Sequence, residues 1–259
     1  MVISYLQLEI FLLVLARIIG IFIMAPLFSA RSFPAFGKIA FAIWLAAVMW
    51  FVVPIQPEKL PTLTITFFLA MLTEVVIGFL MGFVANLIFI VVQSAGEFVD
   101  LQMGLSVASA FDPLFGASIS IIGRMSFYIA ITVFVIANGH HMLLSALNQS
   151  FKLFPPGSAI NLTSPMLMEQ MISLMRNFWL ISFQLAGPII LIIFLSDFAF
   201  GIVSRVAPQV NVFMLGFQVK PVLGLLGLVF IMPLLVKHVA NLLGIMAEEL
   251  LKLMVALRI

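Results

Sequence analysis

Apolar residues run along this chain in long blocks, separated by short clusters of proline, glycine and charge. The first block, 6–28, carries only Gln7, Glu9 and Arg17 as strongly polar positions and gives way at Pro26 and the 29–34 segment. The second, 36–53, is closed by Pro54 and Pro57. The third is predicted over 63–95, and Glu74 is its one charge through residue 92. A polar, glycine-bearing loop is expected over 96–117, then a fourth helix over 119–137. A shorter interfacial helix follows over 140–154, ended by Pro155-Pro156-Gly157. The fifth long helix is predicted over 165–200, kinked at Gly187-Pro188. A polar joint at 204–211 leads to a last apolar region, 213–247, interrupted by Pro221 and Pro233, and 248–259 reads as an amphipathic helical end.

No block alternates with a period of two, so a closed barrel of strands does not fit. The expected fold class is all-α, a multi-helix integral membrane protein with about six long apolar helices in one domain, 1–259. Composition supports a membrane setting. Apolar residues make up 64% of the chain and charged residues 8%, against about 25% charged in a soluble domain. A water-soluble surface needs more charge than that, so lipid or other membrane subunits must cover most of this one. The N-terminus lacks a basic n-region and a small-residue cleavage pattern, so the first apolar block is expected to stay as a helix. Net charge is +2 with no Lys/Arg cluster, which argues against nucleic acid as a partner. Cysteine is absent, which removes disulfides and thiolate metal sites. The basic residues of the short loops divide evenly: Arg31, Lys38, Arg124, Arg205 and Lys220 on one side, Lys59, Lys152, Arg176, Lys252 and Arg258 on the other. The charge rule for orientation therefore does not choose a topology.

Charges inside apolar helices are the first candidates for function. A lone arginine at a helix centre costs roughly 2.5–3.5 kcal/mol on insertion scales, so Arg17 should face protein or water. Glu9 lies too far round the helix for a direct pair, and a helix–helix contact is the plainer reading of Arg17. Glu74 shares a face with Gly78 and Gly82, a Gly-xxx-Gly spacing that lets helices approach closely. A buried inter-helix hydrogen bond fits Glu74 better than a proton relay. The densest polar stretch is 93–113, with Glu97 and Asp100 on one helical face and then the small residues Gly104, Ser106, Ala108, Ser109 and Ala110. Phe111-Asp112-Pro113 closes it with a bulky group and a rigid turn. Such a segment is either an ordinary re-entrant connection or a loop carrying apolar plugs for a pore. Adjacent His140 and His141 point about 100° apart on a helix and make a poor metal site. No zinc-protease, nucleophile-elbow or phosphate-loop motif is present, and no cofactor is expected.

Several motifs together resemble the FliR/SctT family of type III secretion export gate subunits. They are Arg17, Ala25-Pro26-Leu27-Phe28 and Arg31-Ser32-Phe33-Pro34, then Ser94-Ala95-Gly96-Glu97 through Asp100-Leu101-Gln102-Met103-Gly104-Leu105. Phe111-Asp112-Pro113, Asn138-Gly139-His140-His141, Ser150-Phe151 and Pro155-Pro156-Gly157 follow in order. The last is 204–213, with Arg205, Pro208, Gln209 and Asn211, then Gly216-Phe217 and Lys220. The order and spacing match across nearly the whole chain, and the Pro-Gln-x-Asn-Val-Phe segment looks more flagellar than injectisome.

The resemblance implies a non-enzymatic subunit of the flagellar export gate in the bacterial inner membrane. Its partners would be FliP and FliQ, with FlhB and FlhA associated, lipid around it and unfolded flagellar proteins as its cargo. It also implies a FliP-like part over about 1–195 and a FliQ-like part over about 196–259, in a helical cone. On that basis Met103, Gly104, Phe111, Asp112, Pro113, Leu114 and Phe115 are candidates for a pore plug or seal. Arg17, Glu74, Glu97, Asp100 and Arg124 are candidates for buried polar contacts, and Arg205, Pro208, Gln209, Asn211 and Lys220 for a joint on the cytoplasmic side. An injectisome subunit of the SctT type is the nearest alternative. A secondary transporter is a more distant one, because no matched halves are visible, and an intramembrane enzyme lacks a catalytic set.

Overall fold

A computed structural model describes residues 5–25, 34–53, 64–106 and 120–257. Within them the chain forms seven helices: α1 (Tyr5–Met24), α2 (Ala35–Trp50), α3 (Thr64–Met103), α4 (Ile121–Ile136), α5 (Gly139–Leu153), α6 (Pro165–Val206) and α7 (Val212–Ala256). Four of these, α1, α3, α6 and α7, are long and apolar enough to cross a membrane, and α4 with α5 makes a possible fifth span as a bent pair. α2, at 16 residues, falls short.

Three boundaries differ from the sequence reading, each for a physical reason. Residues 96–103 belong to α3, not to a loop, because no breaker precedes Gly104 and Gly96 is a packing residue. Gly104 then ends the helix with φ 78°, a left-handed conformation that costs glycine nothing. α7 runs unbroken through Pro221 and Pro233 and takes in the tail to Ala256. Each proline there forfeits one backbone bond and no more, which apolar helices tolerate when neighbours re-satisfy the freed carbonyl.

The chain divides into two compact units. One comprises Met1–Leu87, Asn138–Leu174 and Leu243–Ile259, the other Ile88–Ala137 and Met175–Leu242. In the first unit α1 and the start of α3 touch backbone to backbone. A Cβ at Gly20 would collide with the Val75 carbonyl, one at Gly78 with the Arg17 carbonyl, and one at Gly82 would lie 2.7 Å from the Ile21 carbonyl. Phe22 stacks on Phe41 at 5.8 Å to join α1 to α2. α5 starts after Asn138, whose φ of 57° breaks the backbone there.

In the second unit the end of α3 pairs with α4 in the same way. A Cβ at Gly96 would lie 2.7 Å from the Gly123 Cα, and Phe89 meets Phe134 edge-on at 5.3 Å. Phe98 stacks on Phe183 of α6 at 4.6 Å, and the Ser182 hydroxyl reaches the Val91 carbonyl at 3.1 Å. The outward faces of α6 and α7 stay apolar: Phe183, Phe194, Phe198, Phe213 and Phe230 are all exposed. A surface of that kind requires lipid or a protein partner over it.

Candidate functional site

The first polar centre lies in the first unit and is fully buried. Arg17 on α1 donates from Nε to Glu74 Oε2 at 2.6 Å. Its Nη1 donates to Ser150 Oγ at 3.0 Å, and its Nη2 to the Phe154 carbonyl at 2.9 Å. The Ser150 hydroxyl in turn donates to the Leu147 carbonyl at 2.7 Å. The second carboxylate oxygen of Glu74 accepts from the Gly157 amide at 3.0 Å. The Phe151 ring covers the guanidinium, 4.2 Å from Cζ to the ring centre.

All three guanidinium nitrogens and both carboxylate oxygens of the pair therefore have a protein partner. Taking two ions out of water costs several kcal/mol each, repaid only by good geometry and added hydrogen bonds, and both are present. The centre fastens α1, α3, α5 and the Pro155-Pro156-Gly157 turn to one another.

The second centre lies in the second unit, where α3 ends. Met103 is completely buried, and its side chain fills the space that Gly224 leaves on α7: a Cβ there would sit 2.6 Å from Sδ. A Cβ at Gly104 would come within 3.4 Å of the Phe217 ring. Asp100, one turn earlier, is 1% exposed. Its Oδ2 accepts from the Ser106 hydroxyl at 3.3 Å, and its Oδ1 has no hydrogen-bond partner among the described residues. A cleft of about 500 Å³ opens beside them, lined by Met103, Gly104, Asp197, Phe213, Phe217 and Lys220 among others. Lys220 Nζ and Asp197 Oδ1 pair across it at 2.6 Å.

The remaining predicted residues separate. Glu97 is half-buried and accepts from Gln93 Nε2 at 2.9 Å. Arg124, expected in a buried contact, is exposed on the first turn of α4, because the buried face there belongs to Ile122, Gly123 and Ser126. Asn211 caps α7, its Oδ1 accepting from the Met214 amide at 3.2 Å. Arg205 stands in the last turn of α6, where a cation suits the carbonyl end, and Pro208 and Gln209 lie exposed in the turn. Phe111, Asp112, Pro113, Leu114 and Phe115 lie outside the described residues. His140 and His141 touch edge-on at 4.4 Å, and among the described residues no group of three His, Cys, Asp or Glu could hold a metal.

Sequence reasoning missed two kinds of partner. Ser150, the Phe154 carbonyl and the Gly157 amide join Arg17 and Glu74 across long separations, and only the unexplained charge on each helix signalled that partners must exist. Asp197 had a readable signal. It and Lys220 are opposite charges in apolar stretches at nearly equal distances from the 207–211 turn, so a helical hairpin brings them together.

The fold and its buried ion cluster define a multi-pass helical membrane protein. Residues 8–246 match the model of the family described as bacterial export proteins, family 1. The chain is 32% identical over 247 residues to the flagellar biosynthetic protein FliR of Bacillus subtilis, covering 94% of each chain. To FliR of Escherichia coli it is 29% identical over 223 residues, 85% of this chain and 83% of that one. To the Yop proteins translocation protein T of Yersinia pestis it is 32% identical over 168 residues, 65% of this chain and 64% of that one. The chain belongs to the bacterial export proteins, family 1.

Proposed function

We infer that this protein is a subunit of the flagellar type III protein export gate, a membrane component through which flagellar proteins leave the cell. The observation that carries this reading is the match to FliR over 94% of both chains. The shorter match to the Yersinia translocation protein, over 65% of this chain, favours the flagellar over the injectisome assignment.

The finer reading is that the chain joins FliP and FliQ in the inner membrane, with FlhB and FlhA associated, to build a channel for unfolded flagellar proteins without catalysing a reaction. Three features support it. The apolar outer faces of α6 and α7 call for neighbours. The Arg17–Glu74 centre takes its partners from three helices and a turn, as a structural pin does. The end of α3 brings a buried methionine and a glycine turn to a cleft, the apolar and bendable parts that a seal at residues 103–115 needs. The division into a FliP-like part, about 1–195, and a FliQ-like part, about 196–259, belongs to the same proposal. Its boundary falls inside α6.

The test is the native mass of the detergent-extracted complex, with this chain tagged and co-expressed with its neighbouring genes. One copy of this chain with several FliP-like and FliQ-like chains is expected. A lone monomer or homodimer would remove the gate assignment and bring back the transporter. Restored motility in a strain lacking FliR separates the flagellar from the injectisome role.

A further inference from the structure

The exposed Arg124 stands at one end of a groove that nothing in the function above uses. α4 presents Ile121, Met125, Ile129 and Val133 at four-residue spacing, an apolar stripe that winds slowly round the helix, and Met232 of α7 lines the groove with them. The groove encloses about 760 Å³ and runs to Ile136. At 1.5 Å per residue its length along α4 is about 22 Å, enough for an acyl chain that spans half of a hydrocarbon core of about 30 Å.

Its one charged lining residue is Arg124, on the first turn of α4. Among the described residues the Arg124 side chain makes no hydrogen bond or ion pair. Glu97, whose Cγ packs on neighbouring Gly123, accepts from Gln93 and forms no ion pair with Arg124. The amino end of α4 adds partial positive charge at the same level. A cation with no paired carboxylate at the head of an apolar trough matches one kind of molecule in a membrane.

We propose that this groove binds an anionic phospholipid, with the phosphate at Arg124 and one acyl chain along the Ile121–Val133 stripe. A helix of another protein would have to supply both a carboxylate at the level of Arg124 and an apolar face, whereas a phosphodiester with its tail carries both. Basic pockets between membrane helices take anionic headgroups for the same reason.

The experiment uses the full chain, extracted with its membrane neighbours and exposed to equal amounts of phosphatidylglycerol and phosphatidylcholine. Retained lipid is counted by native mass spectrometry. Wild type should hold one phosphatidylglycerol in preference to phosphatidylcholine by about fivefold, the effect of one cation at an anionic surface. Arg124→Gln should lose the preference. Ile129→Trp, which fills the trough and leaves the charge, should lose retained lipid altogether. Equal retention of the two lipids by wild type, or an unchanged preference in Arg124→Gln, overturns the proposal. A photoreactive phenylalanine analogue in place of Met125, activated in intact membranes, gives an independent answer should either variant fail to accumulate. A lipid adduct supports the site, and capture of a polypeptide instead assigns the groove to a protein and overturns it.

Discussion

Arg17 Nε lies 2.6 Å from Glu74 Oε2, and solvent reaches at most 1% of either side chain. Both groups are fully buried, so removing one partner strands the other as a buried charge. Such a loss costs about 3–5 kcal/mol, a large share of a protein's stability. Arg17→Met and Glu74→Leu should therefore each lower the amount of chain in the membrane and the melting temperature of the extracted complex. The double variant Arg17→Met with Glu74→Leu should recover a good part of both, since it replaces the pair by apolar groups of similar size. Equal loss in the double and single variants would mean that the charges serve something beyond holding the helices.

The glycines make a sharper steric prediction, because the neighbour they would strike is backbone and cannot turn aside. Gly78→Ala should prevent α1 and α3 from meeting, and the chain should be degraded. Gly187→Ala, where nothing lies within 4 Å of the added carbon, should leave the chain as abundant as wild type, with helix propensity improved by about 0.8–1.0 kcal/mol. Pulse-chase turnover of the two variants checks the contrast. If Gly187→Ala accumulates normally but fails to enter the complex, that face of α6 is a subunit contact.

How much of this was legible depends on where the causes lie. The apolar blocks of α1, α6 and α7 follow from solvent preference, a local property, and they read directly. The burial of Arg17 was legible as a cost that something had to offset, but Ser150 and Gly157 were not, since a partner 133 or 83 residues away leaves no local mark. Residues 96–103 read as loop because polarity was taken for exposure. In the structure Asp100 is polar, helical and buried at once. Pro221 and Pro233 read as breaks because propensity weights the single residue, while a long helix packed along its length keeps its course through them. Arg124 misled in the other direction: its exposure is set by which face of α4 packs, and the spacing of Gly123 and Ser126 carried that information.

The Met103 side chain occupies the notch at Gly224, and its thioether end is flexible. Gly224→Ala should push it out of place. If the end of α3 seals the pore, this variant should admit small ions into cells expressing the gate, and Met103→Ala should not add to the leak when combined with it, since the two changes disturb one contact. Deleting residues 106–115 should give a larger leak than either. Conductance equal to wild type in the deletion would remove the seal.

Asp197 and Lys220 join α6 to α7 at that cleft, 2.6 Å apart with side chains 43% and 25% exposed. A pair that wet contributes at most about 1 kcal/mol to stability, so Asp197→Asn and Lys220→Met should leave the amount and melting temperature of the extracted complex almost unchanged. Their place beside Gly104 and Phe217 gives them a different task, fixing the hairpin against the end of α3. Export of a flagellar reporter should therefore fall in each single variant while the chain stays abundant. The exchange Asp197→Lys with Lys220→Asp should restore export, because it rebuilds the pair with its sign reversed. Export that survives both single variants would leave the pair as a surface contact with no part in the gate. Loss of the chain itself would show that the cleft is far less hydrated than the exposure of the two side chains implies.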